Sequence, residues 1–231
     1  MDHVLAPDIS PALSVERRVV QSLRTAMKFA AAMTTMTLLT GVAMADTINF
    51  DSDVVGAVPL GWTAGVTGRG AAEWAVAQDP TAPSKPNVLK QSGSATFPFC
   101  VLQRSSLTDG YVEVKFKALA GKEDQAGGVV WRFKNGNNYY VARANALENN
   151  VSLYYTENGK RNTIKYVDAP VAPNAWHTLR VEFTGQSIKV WLNGKLCIDV
   201  RDTHIEGAGA VGVWTKADSV TAFDDFVFAA R

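Results

Sequence analysis

The sequence has no excess of charge of either sign. Its 231 residues include 23 Lys and Arg against 22 Asp and Glu. Residues 1–45, which are expected to be removed (below), carry four of the basic and three of the acidic side chains, so 19 of each remain. A neutral chain has no field to attract a polyanion, so we expect neither nucleic acid nor an anionic membrane as a partner. A ligand must then be recognised at short range.

The chain also lacks the motifs of three enzyme classes. It has no Gly-x-Ser-x-Gly nucleophile elbow and no His-Glu-x-x-His zinc motif. It has no Glu-x-Asp-x-x-Glu strand either, in which two carboxylates would flank a glycosidic bond. These absences exclude the corresponding mechanisms and leave ligand binding or a different enzyme chemistry.

Cysteine is scarce, because only Cys100 and Cys197 are present. Neither lies near a His or another Cys at the spacing of zinc ligands, so we expect no structural zinc. An oxidising compartment would permit a Cys100–Cys197 disulfide. A chain of this length can bury a sufficient core without one, so we favour two free thiols that are not essential for folding.

We predict no cofactor and no metal site. Asp224-Asp225 and Glu123-Asp124 carry the oxygen ligands that calcium prefers. Neither pair has the ligand density of a dedicated calcium loop, so we interpret both as solvated turn carboxylates.

A signal-peptide pattern occupies residues 27–45. Met27-Lys28 precedes an apolar run that ends at Val42, and Ala43-Met44-Ala45 supplies small residues at the cleavage positions. The run is too short to span a bilayer comfortably, so we expect no membrane insertion after cleavage. Residues 1–26 are either a long leading region or the result of a start codon placed too early, and we favour the second. Residues 46–231 are then a single secreted or periplasmic domain, expected to be a monomer.

From residue 46 onward the hydrophobic pattern has a period of two. In Tyr111–Phe116 and His177–Phe183 apolar side chains alternate with polar ones, which is typical of antiparallel strands with one face on a core. Further strands are expected at residues 74–78, 88–91, 97–103, 129–133, 139–145, 151–156, 188–192, 196–200, 211–215 and 223–228. Asn-Gly pairs at residues 135, 158 and 193 predict hairpin turns. Many short strands joined by tight turns indicate an all-β, two-sheet jelly-roll sandwich.

The hairpin at Asn193-Gly194 has two candidate registers. A two-residue loop pairs Leu192 with Lys195, whereas a three-residue loop pairs Trp191 with Lys195. The three-residue loop gathers apolar side chains on one face and avoids burying a lysine, so we predict it. It leaves Trp191 on the polar face, as a candidate stacking platform for a sugar ring.

Five polar residues form the strongest candidate site: Arg132, Arg143, Asn145, Glu148 and Asn150. Strand alternation places the first three on an outward face of one sheet. Guanidinium and amide groups suit the vicinal hydroxyls of sugars. The alternative is a set of ordinary cross-strand charge pairs on a solvated sheet, and both interpretations stay open at this stage.

Several segments together resemble a known family. They are Gly127–Phe133, Asn138–Asn150, Ala175–Val181, the Asn193-Gly194-Lys195 turn and Gly212–Asp218. The chain resembles the concanavalin A/laminin G-like jelly-roll superfamily, and within it the 3-keto-disaccharide hydrolase-like domain, long catalogued as a domain of unknown function. The resemblance implies the fold and a carbohydrate or glycoside partner. It does not fix the activity, because the superfamily includes lectins, glucanases, lyases and adhesion modules.

Two functions follow from this resemblance. The first is a sugar-binding domain whose ligand contacts Arg132, Arg143, Asn145, Asn150 and Trp191. The second is a keto-glycoside hydrolase or lyase, in which a base removes the proton at carbon 2 of a 3-keto-glucoside. Glu148 is the predicted base, with Arg143 or Arg132 stabilising the enolate. The short chain without a paired-carboxylate motif favours binding.

Cleavage after Ala45 is directly testable. Mass spectrometry of the protein recovered from the periplasm or the medium should give Asp46 as the N-terminal residue. Recovery of an uncleaved chain from the cytoplasm would contradict export.

Overall fold

The computed structural model describes residue 1 and residues 45–231, so the predicted signal peptide, apart from Ala45, lies outside the described residues. In the described part the chain forms strands and no helix. No helix long and apolar enough to cross a membrane is found there. The fifteen strands are β1 (Asp46–Ile48), β2 (Trp62–Ala71), β3 (Trp74–Gln78), β4 (Asn87–Gln91), β5 (Ser94–Leu107), β6 (Gly110–Ala120), β7 (Ala126–Asn135), β8 (Asn138–Asn145), β9 (Asn150–Glu157), β10 (Lys160–Asp168), β11 (Trp176–Thr184), β12 (Ser187–Leu192), β13 (Lys195–Arg201), β14 (Gly209–Trp214) and β15 (Val220–Ala230).

The strands form two antiparallel sheets. The eight-stranded sheet has the order β13-β12-β11-β6-β15-β4-β3, with β1 also paired to β15. The seven-stranded sheet has the order β10-β9-β8-β7-β14-β5-β2. Neighbours such as β6 and β15, or β7 and β14, are distant in sequence, which is the connectivity of a jelly roll and not of a simple meander. The predicted fold class is confirmed.

The main core lies between the sheets, where the period-two pattern placed it. Val112, Val114 and Phe116 of β6 are fully buried and lie beside Leu179 and the other inward residues of the adjacent strand β11. Trp131 of β7 stacks on Phe183 across the sandwich with ring centroids 5.8 Å apart. Interdigitated aromatic and β-branched side chains of this kind supply most of the free energy of folding.

The seven-stranded sheet has a second apolar layer on the face that points away from the core. Tyr139, Val141, Tyr154, Phe99 and Trp214 lie in this layer, while their sequence neighbours face the sandwich interior. Strands β8 and β9 are therefore buried on both faces. A sheet face that carries its own apolar cluster is a place where a ligand or a covering segment can bind.

This outer face is concave. The guanidinium carbon of Arg161 on β10 lies 4.5 Å from the ring centroid of Phe97 on β5. Those strands are five places apart in the sheet, which corresponds to about 24 Å in a flat sheet with ordinary strand spacing. One arginine side chain cannot span that distance, so the sheet must curl strongly toward this side. We refer to it as the concave face.

The Asn193-Gly194 hairpin differs from its predicted register. Leu192 pairs with Lys195, so the loop has two residues, and the three-residue loop is wrong. Both loop residues have positive φ, as a type I′ turn requires. A bulge beyond the turn then pairs Val190 with Ile198. The bulge brings the apolar side chains to the core without burying Lys195, and it leaves Leu196 exposed.

Arg132 also departs from its predicted position. It was expected to leave the core on the same face as Arg143. Instead β7 is irregular after Trp131, and Arg132 has φ of 45°. The bulge reverses the alternation: Phe133 packs on Tyr139 on the concave face, and Arg132 turns toward Phe183 of the other sheet. Arg132 is a buried structural residue.

The contacts of Arg132 explain its burial. Its guanidinium donates hydrogen bonds to the carbonyl oxygens of Thr108, Gly185 and Ile205 at 3.2, 2.7 and 3.0 Å. It also pairs with Asp109 at 3.4 Å. One side chain thus satisfies backbone acceptors from three separate segments, which holds these loops at one end of the sandwich.

The two cysteines are not bridged. Cys100 is buried in β5 of the seven-stranded sheet, and Cys197 is partly exposed in β13 of the eight-stranded sheet. Burial raises the pKa of the Cys100 thiol, so it stays protonated and behaves as a small apolar side chain.

Replacing Arg132 should destabilise the fold strongly. Arg132→Ala leaves three carbonyl groups without their donor, so we expect the free energy of unfolding to fall by about 3 kcal/mol or more. Urea denaturation followed by tryptophan fluorescence measures the loss. Arg201→Ala is the matched control, because Arg201 is exposed and should change stability by less than about 0.5 kcal/mol. Equal effects of the two substitutions would refute the structural role.

Candidate functional site

A buried charge network lies at one end of the concave face. It consists of Asp124, Arg143, Asn145, Glu148, Asn150 and Lys216, and we call it the Arg143 network. The side chain of Arg143 is 4% exposed, and its Nη2 donates to Glu148 Oε2 at 2.8 Å. The same guanidinium donates to the hydroxyl of Tyr154 at 3.2 Å. The structure therefore brings together four of the five residues predicted for the site.

The turn between β8 and β9 positions Glu148. The side-chain oxygen of Asn145 accepts the backbone N–H groups of Leu147 and Glu148 at 2.9 and 3.3 Å. This local bond shapes the turn, as asparagine side chains commonly do. Asn150, at the start of β9, donates from Nδ2 to Glu148 Oε2 at 2.8 Å. Glu148 is thus fixed from both sides, while its side chain remains 39% exposed.

Asp124 connects three segments at the base of the network. Its carboxylate is fully buried, so the interpretation of Asp124 as a solvated turn carboxylate is wrong. It accepts a hydrogen bond from Asn145 Nδ2 at 2.7 Å. Lys216, from the loop after β14, pairs with its other oxygen. Arg143 Nη1 lies 3.7 Å away, too far for a hydrogen bond but close enough for ionic attraction. A buried carboxylate requires such partners, because an unpaired charge in the interior is very costly.

Arg143 is more buried than the sequence suggested. It was expected on an outward sheet face, either in contact with a ligand or in a solvated charge pair. Because it is enclosed between Glu148, Tyr154 and Asp124, removing it would leave buried acceptors and a buried charge poorly compensated. Breaking a buried pair in this way costs about 3–5 kcal/mol. Arg143 therefore positions the site, and the more exposed groups around it are available to a ligand.

Arg161 lies beside the network, over aromatic rings. Its guanidinium carbon is 4.2 Å from the ring centroid of Tyr154 and 5.8 Å from that of Trp214. Phe97 stacks on Trp214 with centroids 5.5 Å apart. Gly128 makes room for this arrangement, since a Cβ there would lie 3.2 Å from Arg143 Cβ and 3.4 Å from the Trp214 ring. The result is an apolar floor with a cation above it.

An open cleft of about 410 Å³ adjoins the network. Lys216 belongs to both, because it lines the cleft and pairs with Asp124 beneath it. Phe97 supplies an apolar wall, and Arg69 and Glu123 stand at the rim. A concave site with an aromatic wall and a few fixed polar groups has the usual form of a small-molecule site.

The pKa of Glu148 determines whether it can act as a base or only as a hydrogen-bond acceptor. Burial would raise this pKa, but the hydrogen bonds from Arg143 and Asn150 lower it to about 2, assisted by the charge of Lys216. A carboxylate with such a pKa is ionised at neutral pH and is a weak base. The arrangement favours Glu148 as a hydrogen-bond acceptor for a hydroxyl group. Its predicted role as a base stays a prediction that this geometry does not favour.

Two predicted site residues lie elsewhere. Arg132 is buried among the loops described above. Trp191 is on β12 in the eight-stranded sheet, where it lines a separate cleft of about 230 Å³ with Arg180 and Glu113. Neither can contact a ligand bound at the Arg143 network. No cluster of three or more metal-ligating side chains occurs among residues 45–231.

Sequence reasoning missed four residues that surround the site: Phe97, Tyr154, Arg161 and Lys216. Arg161 could have been found, because extending the predicted Asn158-Gly159 hairpin pairs it with Thr156. Lys216 could not, since the pair it forms with Asp124 joins residues 92 positions apart in two loops. No local pattern indicates such a contact.

Fold and site together define an all-β jelly-roll domain with a charged, partly aromatic site on its concave face. The chain belongs to the 3-keto-alpha-glucoside-1,2-lyase-like domain family, whose model matches residues 58–226. This agrees with the resemblance drawn from the sequence.

One protein of similar sequence and two solved structures of similar fold illustrate what the chain resembles. A segment of the chain is 28% identical over 116 residues to a levanase of Bacillus subtilis (strain 168), covering 49% of this chain and 17% of that enzyme. The chain therefore corresponds to only a small part of the levanase. Among solved structures, carbohydrate binding module CBM66 from Bacillus subtilis superposes with a TM-score of 0.60 at 23% identity, covering 72% of this chain and 93% of the module. The cellulose induced protein Cip1 gives 0.56 at 16% identity, covering 80% and 96%. At these identities the structural matches show the fold alone.

The network should make stability depend on pH in acid. Because the pKa of Glu148 is lowered from 4.5 to about 2, its stabilising effect is present above pH 4.5 and is lost as the pH falls toward 2. Glu148→Gln should therefore be less stable than the native protein at neutral pH, and the difference should shrink through that range. Denaturant titrations at several pH values measure it. Glu157→Gln, at the exposed end of β9, is the matched control. A difference that stays constant with pH would contradict the proposed ionic contacts.

Proposed function

We propose that this protein is an exported carbohydrate-binding domain whose sugar ligand binds at the rim of the Arg143 network on the concave face. One observation carries the proposal. Glu148 and Lys216 are partly exposed, and each is held by an ion pair to a buried residue of the network. Glu148 and Lys216 are close enough for the charge of Lys216 to lower the pKa of Glu148. Phe97 lies beside Lys216 in the same cleft.

These groups match what a sugar ring presents. Its hydroxyl groups donate to a carboxylate such as Glu148 and accept from an ammonium group such as Lys216, and charged partners strengthen these hydrogen bonds. The apolar face of the ring packs against an aromatic side chain such as Phe97. Because Arg143, Asn145 and Asn150 hold Glu148 in place, little conformational entropy is lost when the ligand binds.

The comparisons support a carbohydrate as the ligand. The family is named for a glycoside lyase, one relative is by name a levanase, and one structural neighbour is by title a carbohydrate binding module. Export, to the periplasm or the medium, rests on the signal-peptide pattern of residues 27–45.

Isothermal titration calorimetry tests the proposal. The purified protein is titrated with levan and with a panel of neutral and acidic glycosides. We expect saturable binding of at least one of them, and we expect Glu148→Gln to weaken it about 10- to 100-fold, because a charged acceptor is lost.

Glu113→Gln and Trp191→Ala provide the controls. They alter the cleft on the opposite sheet and should leave the affinity unchanged. Loss of binding in Trp191→Ala but not in Glu148→Gln would move the site to that sheet. No binding to any carbohydrate would refute the function.

A keto-glycoside hydrolase or lyase activity is the second candidate, because the family description favours it. It would require Glu148, or another group, to remove the proton at carbon 2 of a 3-keto-glucoside. Incubation of the protein with 3-keto-glucosides, with and without divalent metal, distinguishes the two functions. Release of the aglycone, abolished by Glu148→Gln, would establish the enzyme.

A further inference from the structure

Arg161 is a cation without an anionic partner. Within residues 45–231 it makes no ion pair with any carboxylate, and its Nη1 is buried without a hydrogen-bond acceptor. Most charged side chains around it are paired: Arg143 with Glu148 and Lys216 with Asp124. An arginine cannot relieve this by losing its proton, because its pKa is too high.

Two further polar atoms near Arg161 also lack partners. Arg143 Nη1 has no hydrogen-bond acceptor, and because the Arg143 side chain is only 4% exposed, water does not replace it. Thr156, the cross-strand partner of Arg161, is fully buried and its hydroxyl has no partner. Unsatisfied buried polar groups are rare in native proteins, so these three on one sheet face mark a place where a polar ligand can find free donors.

The ion pairs at this end of the concave face leave Arg161 out. Arg143 pairs with Glu148 and Lys216 pairs with Asp124, whereas no carboxylate of the described residues lies within ion-pair distance of Arg161. Burial lowers the pKa of Arg161, and the adjacent charge of Arg143 lowers it too, which means that the cation is held in an unfavourable place.

Contacts with aromatic rings do not remove this cost. Tyr154 and Phe97 lie within 4.2 and 4.5 Å of the guanidinium carbon and attract it through their π faces. Such contacts satisfy the face of the guanidinium. They leave Nη1, whose N–H groups lie in the plane of the guanidinium, without an acceptor.

We propose that the carbohydrate ligand is a sugar acid, whose carboxylate binds Arg161 while its hydroxyl groups bind Glu148 and Lys216. A carboxylate matches the planar fork of an arginine and supplies the anionic partner that Arg161 has in none of the described ion pairs. Glu148, in the network beside Arg161, then accepts a hydrogen bond from a hydroxyl group of the same ligand. This inference rests on the proposed function and deepens it by naming the class of sugar.

A matched pair of ligands tests the inference. Methyl glucuronide and methyl glucoside differ only in the carboxylate at carbon 6. In about 10 mM salt we expect the glucuronide to bind at least about tenfold more tightly. In about 1 M salt, where charges are screened within about 3 Å, the preference should shrink. Sodium acetate, as a free carboxylate without a sugar, should bind far more weakly than the glucuronide.

Arg161→Gln tests whether Arg161 causes the preference for the glucuronide over the glucoside. It removes the charge but keeps a polar side chain, so the glucuronide should then bind no better than the glucoside, while glucoside affinity stays within about threefold. Lys160→Gln is the matched control, because it removes one positive charge from the adjacent, exposed position and should leave the preference intact.

The outcomes separate the two proposals. If a neutral glycoside or levan binds and the glucuronide does not bind more tightly, the sugar-acid inference is wrong and the carbohydrate-binding function stands. An unchanged preference in Arg161→Gln, or acetate binding as tightly as glucuronide, also overturns the inference. If no carbohydrate binds, the proposed function itself is wrong.

Discussion

The buried carboxylate of Asp124 is the constraint on which the concave site depends. An ion in the interior must be paired and hydrogen-bonded, or the fold loses several kcal/mol. Asp124 meets this requirement with Asn145 from β8, with Lys216 from the loop after β14 and with the charge of Arg143. One carboxylate thus ties together the turn before β7, the end of β8 and the loop after β14, three neighbouring strands of the sheet. Through Asn145 it also fixes the turn that carries Glu148.

This arrangement divides the site into a rigid base and an open rim. Arg143, Asn145 and Asn150 are buried and donate hydrogen bonds to Glu148 or Asp124, so they act by positioning. Glu148 and Lys216 keep exposed atoms, and Arg161 keeps unsatisfied ones. A preorganised base with unsatisfied groups at its edge is the general form of a binding site that recognises polar ligands.

Charged strand residues were interpreted either as a ligand site or as charge pairs on a solvated sheet, and the two outer faces of the sandwich provide an example of each arrangement. On the eight-stranded sheet, Arg180 pairs with Glu113 and Glu182 at 3.3 and 2.8 Å, as ordinary cross-strand and same-strand ion pairs do. On the concave face, curvature turns similar residues into an enclosed network. Residue types alone do not distinguish the cases, because the difference lies in how far each charge is removed from water.

The sequence by itself determined the fold class and most strands, because the alternation of Val112, Val114 and Phe116 and the Asn-Gly turns are local signals with direct physical causes. It also determined that Arg143, Asn145, Glu148 and Asn150 lie together, since they follow one another along one strand and one turn. The tertiary structure alone decided the rest. A bulge sent Arg132 into the interior, the curl of the sheet brought Arg161 over Phe97, and two distant loops joined Asp124 to Lys216. Bulges, sheet curvature and loop packing depend on contacts between residues far apart in the chain, which no local pattern records.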